Sequence, residues 1–194
     1  MVRFTNDIIE KFRDYKSVKF SWVGKEFLRL GITANVMTFL SLVFGIGTVY
    51  YLFVNYWLFV MFAILHLCAD AIDGVIARVS KETVFGKKFD FAVDQFIVVV
   101  IMIKLGWFMQ DYYAYVAAGL YGIANVVYYI SDFKLPILFT RTVTLVLMGL
   151  WILPIKIIVF TIPEATYIIT GVASVYSLAR QLQYGIVGVW GKKK

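Results

Sequence analysis

Residues 66–96, HLCADAIDGVIARVSKETVFGKKFDFAVDQF, decide how this chain is read. The stretch holds five of the twelve acidic residues. Four of them, Asp70, Asp73, Asp90 and Asp94, fall at the ends of two segments that otherwise read as membrane-spanning helices. Carboxylates are expensive in such places, and their usual reason is function, most often ion binding. At about 100° per residue, Asp73 lies about 60° from Asp70 on a helix, and Gly74 and Ala77 fall within about 40° of Asp70. Two carboxylates therefore share a face with two very small residues. Asp90 and Asp94 stand one turn apart on the following helix and also share a face.

Outward from that stretch the chain is apolar. A sequence of 194 residues with 61% hydrophobic content and a mean hydropathy of +0.81 lies far outside the range of a soluble globular domain. A formal net charge of +7 would point to nucleic acid in a soluble chain. In a membrane chain the positions of Lys and Arg carry the information instead, and no nucleic-acid partner is expected. The single cysteine, Cys68, inside an apolar run, excludes a disulfide framework. The opening MVRFTNDIIEKFRDYK lacks the apolar core and small-residue cleavage site of a signal peptide.

A membrane crossing needs about 20 apolar residues, and the chain offers six: 33–54, 56–79, 88–109, 112–131, 138–160 and 163–187. The expected fold is all-α, an integral membrane bundle of six transmembrane helices (31–194) in one domain covering 1–194. Residues 1–30 interleave bulky apolar side chains with seven basic residues. They read as an amphipathic interfacial helix preceding the bundle, with a break near Gly24. Pro154 predicts a kink and Pro163 a helix start. Of the nineteen Lys and Arg, all but Lys104 and Lys156 fall on one side of this layout. Both termini and all four aspartates are therefore expected at the cytoplasmic face of a cell membrane. Small-residue pairs, Ser41 with Gly45 and Ala118 with Gly122, allow close helix contact within the bundle or across a homodimer.

Four carboxylates from adjacent helices repel one another unless a cation sits between them. Hard divalent ions prefer oxygen ligands, so Mg²⁺, or Mn²⁺ in its place, suits the set, and four carboxylates suffice to bridge two ions. Paired ions of this kind clamp the attacking and leaving oxygens of a phosphoryl displacement. A structural salt-bridge cluster or a Ca²⁺ site is the plainer alternative, and a cation transporter a third. Against the transporter, these acids cluster at one end of their helices rather than at the midplane, and no repeat is evident.

The spacing Asp70-x2-Asp73-Gly74-x2-Ala77-Arg78-x7-Gly86-x3-Asp90-x3-Asp94 closely resembles the signature of the CDP-alcohol phosphotransferases (CDP-alcohol phosphatidyltransferases), class I. The family most often has eight residues between the Arg and the second Gly; this chain has seven. A second match opens the first span: the family's Pro-Asn-x-x-Thr is here Ala34-Asn35-Val36-Met37-Thr38, with Ala in place of Pro. The resemblance implies an enzyme that moves a phosphatidyl-type group from a CDP-lipid, diacyl or dialkyl, to a small polar alcohol within the membrane, releasing CMP with two Mg²⁺ ions. It implies that Asp70, Asp73 and Asp90 are metal ligands and that Asp94 is both a ligand and the catalytic base. Asn35, Thr38, Gly74, Ala77, Arg78 and Gly86 would meet the CDP-lipid. Counting back from Asp90 adds Thr83 to that set, whereas counting forward from Arg78 gives Val84; Thr83 is preferred because it can hydrogen-bond.

Lys134, Arg141 and Arg180 are the basic residues of the later helices on the same side, and such cations suit a phosphorylated acceptor. Arg141 resembles the Arg that family members using inositol phosphate place at the start of the fifth helix. The same residues read equally as positive-inside anchors. Inositol 1-phosphate or glycerol 3-phosphate is the preferred acceptor, with serine or another unphosphorylated alcohol as the alternative. His66 reads as a packed histidine, and Tyr112-Tyr113 and Tyr128-Tyr129 as interfacial belts.

Overall fold

The computed structural model describes residues 21–80, 83–153, 156–157 and 160–190. The expected interfacial segment up to residue 20, Lys81 and Glu82, the Pro154 kink and the basic end at 191–194 lie outside the described residues. Among the described residues seven helices follow one another: α1 (residues 21–29), α2 (Ala34–Tyr51), α3 (Tyr56–Ser80), α4 (Val84–Met109), α5 (Tyr112–Ile130), α6 (Arg141–Gly149) and α7 (Ile162–Trp190). Four of them, α2 to α5, are long and apolar enough to cross a membrane. The chain forms two compact units, Met1–Thr48 with Met61–Val93, and Val49–Val60 with Asp94–Lys194.

In the first unit, Met37, Ala69 and Ile76 form a buried core against which Phe27, Leu28, Ile32, Ala34, Phe44 and Ile72 pack. Glycine sets the helix spacing. A Cβ on Gly47 would stand 2.5 Å from the Phe62 ring, so α2 and α3 approach as closely as they do only because no side chain intervenes. The break expected near Gly24 is absent: residues 21–29 are continuously helical. Gly24 instead seats α1 on α3, its Cβ position 3.1 Å from the Val75 carbonyl oxygen and 3.1 Å from Val79 Cγ2.

In the second unit, α5 buries Ala114, Ala117, Ala118, Tyr121, Ala124 and Asn125, a stripe at helical spacing. A Cβ on Gly171 of α7 would stand 3.4 Å from Ala117 Cβ. Thr144 of α6 and Thr170 of α7 share a buried hydroxyl contact of 3.3 Å. Asp111 caps α5, its Oδ1 accepting from the Tyr113 N–H at 2.9 Å and its Oδ2 from the Tyr167 hydroxyl at 2.6 Å. Those two donors hold the Asp111 carboxyl below the usual carboxylate range. Lys104 of α4 donates to the Val49 and Tyr50 carbonyls at 2.6 and 2.7 Å, meeting acceptors that the last turn of α2 leaves without a helical partner.

The span expected over 138–160 is not one helix. Its helical part, α6, has nine residues, about 14 Å of rise, and a crossing needs about 30 Å. A two-stranded antiparallel ribbon follows, β1 (Lys156–Ile157) with β2 (Phe160–Thr161), pairing Lys156 with Thr161 and Ile157 with Phe160. The sequence from 157 to 162, IIVFTI, is β-branched or aromatic throughout and favours extended backbone. Helix α7 has the length for a crossing, with 29 residues, but carries Glu164, Arg180 and many hydroxyl and amide side chains.

Candidate functional site

Three helix ends meet in the first unit around a cavity of about 280 Å³. The start of α2 contributes Ala34, Asn35 and Thr38, preceded by Thr33. The last turns of α3 contribute Asp73, Gly74, Ala77 and Ser80. The start of α4 contributes Gly86 and Asp90, with Thr83 just before it. Eight residues singled out from sequence spacing therefore line one cavity. Thr83 lines it and the alternative Val84 does not, both residues being exposed.

Local chemistry explains the arrangement. Thr38 Oγ1 lies 2.8 Å from Asp73 Oδ2, with both residues buried, which joins the first turn of α2 to the acidic face of α3. Thr83 begins α4 by accepting the Gly86 N–H at 2.9 Å, as Ser and Thr do before a helix. A Cβ on Gly86 would sit 2.9 Å from Asn35 Oδ1 and 3.0 Å from Thr83 Oγ1. Glycine at this position thus lets the Asn35 amide and the Thr83 hydroxyl converge. Gly74 differs: a Cβ there would meet only the end of Arg78, at 3.4 Å, so this face of α3 is open. Arg78 is exposed and donates from Nε to the Gly74 carbonyl at 2.6 Å, which places its guanidinium along the same helix face.

Asp70 and Asp90 bring carboxylate oxygens within 4.8 Å of each other. Like charges this close raise each other's energy unless a cation or proton intervenes, and an all-oxygen pair matches the preference of hard divalent ions. The donor set present thus fits such an ion. Helix α4 carries Asp94 one turn beyond Asp90.

In the second unit, Asp94 forms an ion pair with Arg141, the first residue of α6, both side chains mostly buried. Of the three basic residues expected at an acceptor site, only Arg141 lies beside a site aspartate. Lys134 is exposed, and Arg180 is exposed with its Nη1 donating to Gln183 Oε1 at 2.9 Å. His66 is packed as expected: it is buried, with Nδ1 2.8 Å from Ser41 Oγ and 2.9 Å from the Ser41 carbonyl. The spacing argument missed a buried polar group in the second unit comprising Gln95, Tyr121, Asn125, Thr140 and Gln181. The signal available was amide side chains inside apolar runs, as in GIANVV around Asn125.

Fold and site together define a multi-pass helical membrane protein with an acidic chamber lined by small residues. The chain belongs to the CDP-alcohol phosphatidyltransferase family, whose sequence model matches residues 31–183. Members are transferases of phospholipid biosynthesis that pass a head-group linkage from a CDP-alcohol to an alcohol acceptor in membranes, with a general dependence on divalent metal. Comparison with curated proteins and with solved structures finds no match for the chain.

Proposed function

We propose that this protein transfers a phosphatidyl-type group from a CDP-lipid to a phosphorylated polyol, with inositol 1-phosphate or glycerol 3-phosphate preferred and serine as the alternative acceptor. The observation that carries the donor half is the single cavity gathering Asn35, Thr38, Asp73, Gly74, Ala77, Thr83, Gly86 and Asp90. The open face at Gly74 and Ala77 admits a nucleotide diphosphate close to the helix backbone. Asn35 and Thr83 supply hydrogen-bonding groups, and the Arg78 guanidinium matches phosphate oxygens in a planar fork.

Asp70, Asp73, Asp90 and Asp94 would hold two Mg²⁺ ions, or Mn²⁺. Bound there, the ions would neutralise charge on the phosphates and raise the acidity of the acceptor hydroxyl. Asp94 takes the acceptor's hydroxyl proton, and the acceptor oxygen attacks the lipid-bearing phosphorus in line. One phosphorus–oxygen bond forms to the acceptor and one breaks to CMP, which leaves with its phosphate. Arg141 pairs with Asp94 and fixes the orientation of its carboxylate. Its fork has five N–H donors, which is enough to serve both Asp94 and an acceptor phosphate.

The remaining features belong to the same reading. The protein is a single domain over residues 1–194, with an interfacial amino-terminal helix and both termini cytoplasmic in a cell membrane, and it works as a homodimer. The distribution of basic residues supports the orientation. The deciding experiment is CMP release by purified protein with Mg²⁺ and CDP-diacylglycerol or its dialkyl analogue, with inositol 1-phosphate, glycerol 3-phosphate, serine and inositol run in parallel. Release with a phosphorylated polyol supports the reading. Release with serine alone corrects the acceptor, and CMP-independent ion flux would replace the enzyme with a transporter.

A further inference from the structure

We infer that Asn125, Thr140 and Gln181 form a subsite that reads neutral hydroxyl groups of the acceptor, which selects a polyol over an amino alcohol. The inference rests on the proposed transfer reaction and concerns the acceptor half of its site. All three residues are at least nine-tenths buried, with 4%, 5% and 4% of their surfaces exposed. Among the described residues, Asn125 Oδ1, Thr140 Oγ1 and Gln181 Oε1 have no hydrogen-bond partner. Buried polar atoms without partners are rare and destabilising, so three in one unit call for an explanation.

The orientation of each amide is fixed by what its nitrogen does. Asn125 Nδ2 donates to the Tyr121 carbonyl at 2.8 Å. Gln181 Nε2 donates to the Ala124 and Pro136 carbonyls at 3.1 and 3.2 Å. With the nitrogens committed, what remains on both side chains is a carbonyl oxygen, which only accepts. The Tyr121 hydroxyl donates to Gln95 Oε1, so its oxygen is left to accept as well. Asn125 lies one turn from Tyr121 on α5, Gln95 follows Asp94 in the chain and Thr140 precedes Arg141, so these groups adjoin the ion pair. The unit therefore presents a buried, acceptor-rich wall beside the Asp94–Arg141 pair.

Such a wall recognises donors. Hydroxyl and ammonium groups both donate, and the cost of leaving water separates them: an ammonium brings a full charge into a buried wall of neutral oxygens beside an Asp94 already paired with Arg141, whereas a hydroxyl brings none. A ring or chain polyol offers several hydroxyls to three acceptor oxygens. Serine and other amino alcohols bring a cation to the wrong place. A site built to hydrogen-bond a substrate hydroxyl discriminates strongly, because an unsuitable ligand leaves these buried groups unpaired.

The test uses the full chain purified in detergent, with the Asn125→Leu and Gln181→Met variants. Binding of myo-inositol, glycerol and serine is followed by saturation-transfer NMR, and CMP release is followed with CDP-diacylglycerol. The expected result is loss of polyol signal in both variants and a rise of about tenfold or more in the acceptor KM, with the CDP-diacylglycerol KM within about twofold of wild type. Unchanged polyol binding and acceptor KM would overturn the subsite and leave the three oxygens to ordered water only. Stronger binding of serine than of either polyol by the wild type would overturn the selectivity. If the wild type releases no CMP with any acceptor, yet binds polyols in a manner that Asn125→Leu abolishes, the subsite stands and the transfer reading falls. Should the apolar variants fail to fold, the near-isosteric Thr140→Val removes one of the three oxygens and Thr140→Ser keeps it: loss of polyol binding in the first with retention in the second supports the inference, and unchanged binding in both overturns it.

Discussion

Replacing Gly74 with alanine should make the protein more stable and a worse ligand for its donor. Gly74 lies inside α3, six residues from its end, where glycine is less favourable than alanine by about 0.5–1 kcal/mol. The added methyl meets only the Arg78 side chain, at 3.4 Å, an ordinary van der Waals distance, so the fold loses nothing in return. By the scaling for chains of this length, the gain corresponds to a rise of about 1–4 °C in Tm. The same methyl projects into the 280 Å³ cavity, where a ligand lying against the helix backbone would be overpacked by about 1–3 kcal/mol, roughly 5- to 150-fold in affinity. Thermal unfolding in detergent and the CDP-diacylglycerol KM, measured on one preparation, give both signs. A raised Tm with an unchanged KM would show that the nucleotide does not approach Gly74, and a lowered Tm would refute the steric account.

The Thr38→Val variant removes the hydroxyl that meets Asp73 and should lower stability by about 1–3 kcal/mol; Thr38→Ser should restore it, as thermal unfolding would show. Asp94→Asn should reduce kcat to background while CDP-lipid binding stays within a few-fold, and equal loss of both in equilibrium binding and turnover assays would count against the base role. Chelation of divalent ions should stop CMP release reversibly, with Mg²⁺ titration reporting whether one or two ions restore it. Asp111 has a carboxyl depressed by Tyr167 and the Tyr113 N–H, so its stabilising contribution is present above the unfolded value of about 4 and is lost as pH falls through the lower folded value. Asp111→Asn should therefore lower Tm at pH 7, with the difference from wild type closing in acid; a pH-independent difference would refute the linkage.

The four long spans were legible because each is predominantly apolar over about 20 residues, and their observed ends fall within a few residues of those expected. The fifth was not, because periodicity alone cannot separate a short buried helix from an extended apolar segment. Residues 138–160 are apolar enough for a crossing, yet only Arg141–Gly149 is helical before the ribbon begins. The lining of the cavity in the first unit was legible almost residue by residue, since its members are spaced by helical turns along three chain segments. The polar group around Asn125 was not, because Gln95, Thr140 and Gln181 lie far in sequence from the α5 turn that carries Tyr121 and Asn125, and no spacing links them. Arg141 was found for its charge, but its partnership with Asp94 required the fold.

Lys104 and Asp94 are ten residues apart on one continuous helix, about 15 Å of rise. The hydrocarbon layer is about twice as thick, and tilt only brings the two groups closer in depth. In a helix that crosses the membrane, the guanidinium–carboxylate pair at one level and the carbonyl-capped ammonium at the other cannot both sit in the aqueous headgroup zone. Each charge is therefore answered within the protein: Asp94 by Arg141, and Lys104 by the Val49 and Tyr50 carbonyls. Removing either partner would leave a charge at a depth where water is scarce.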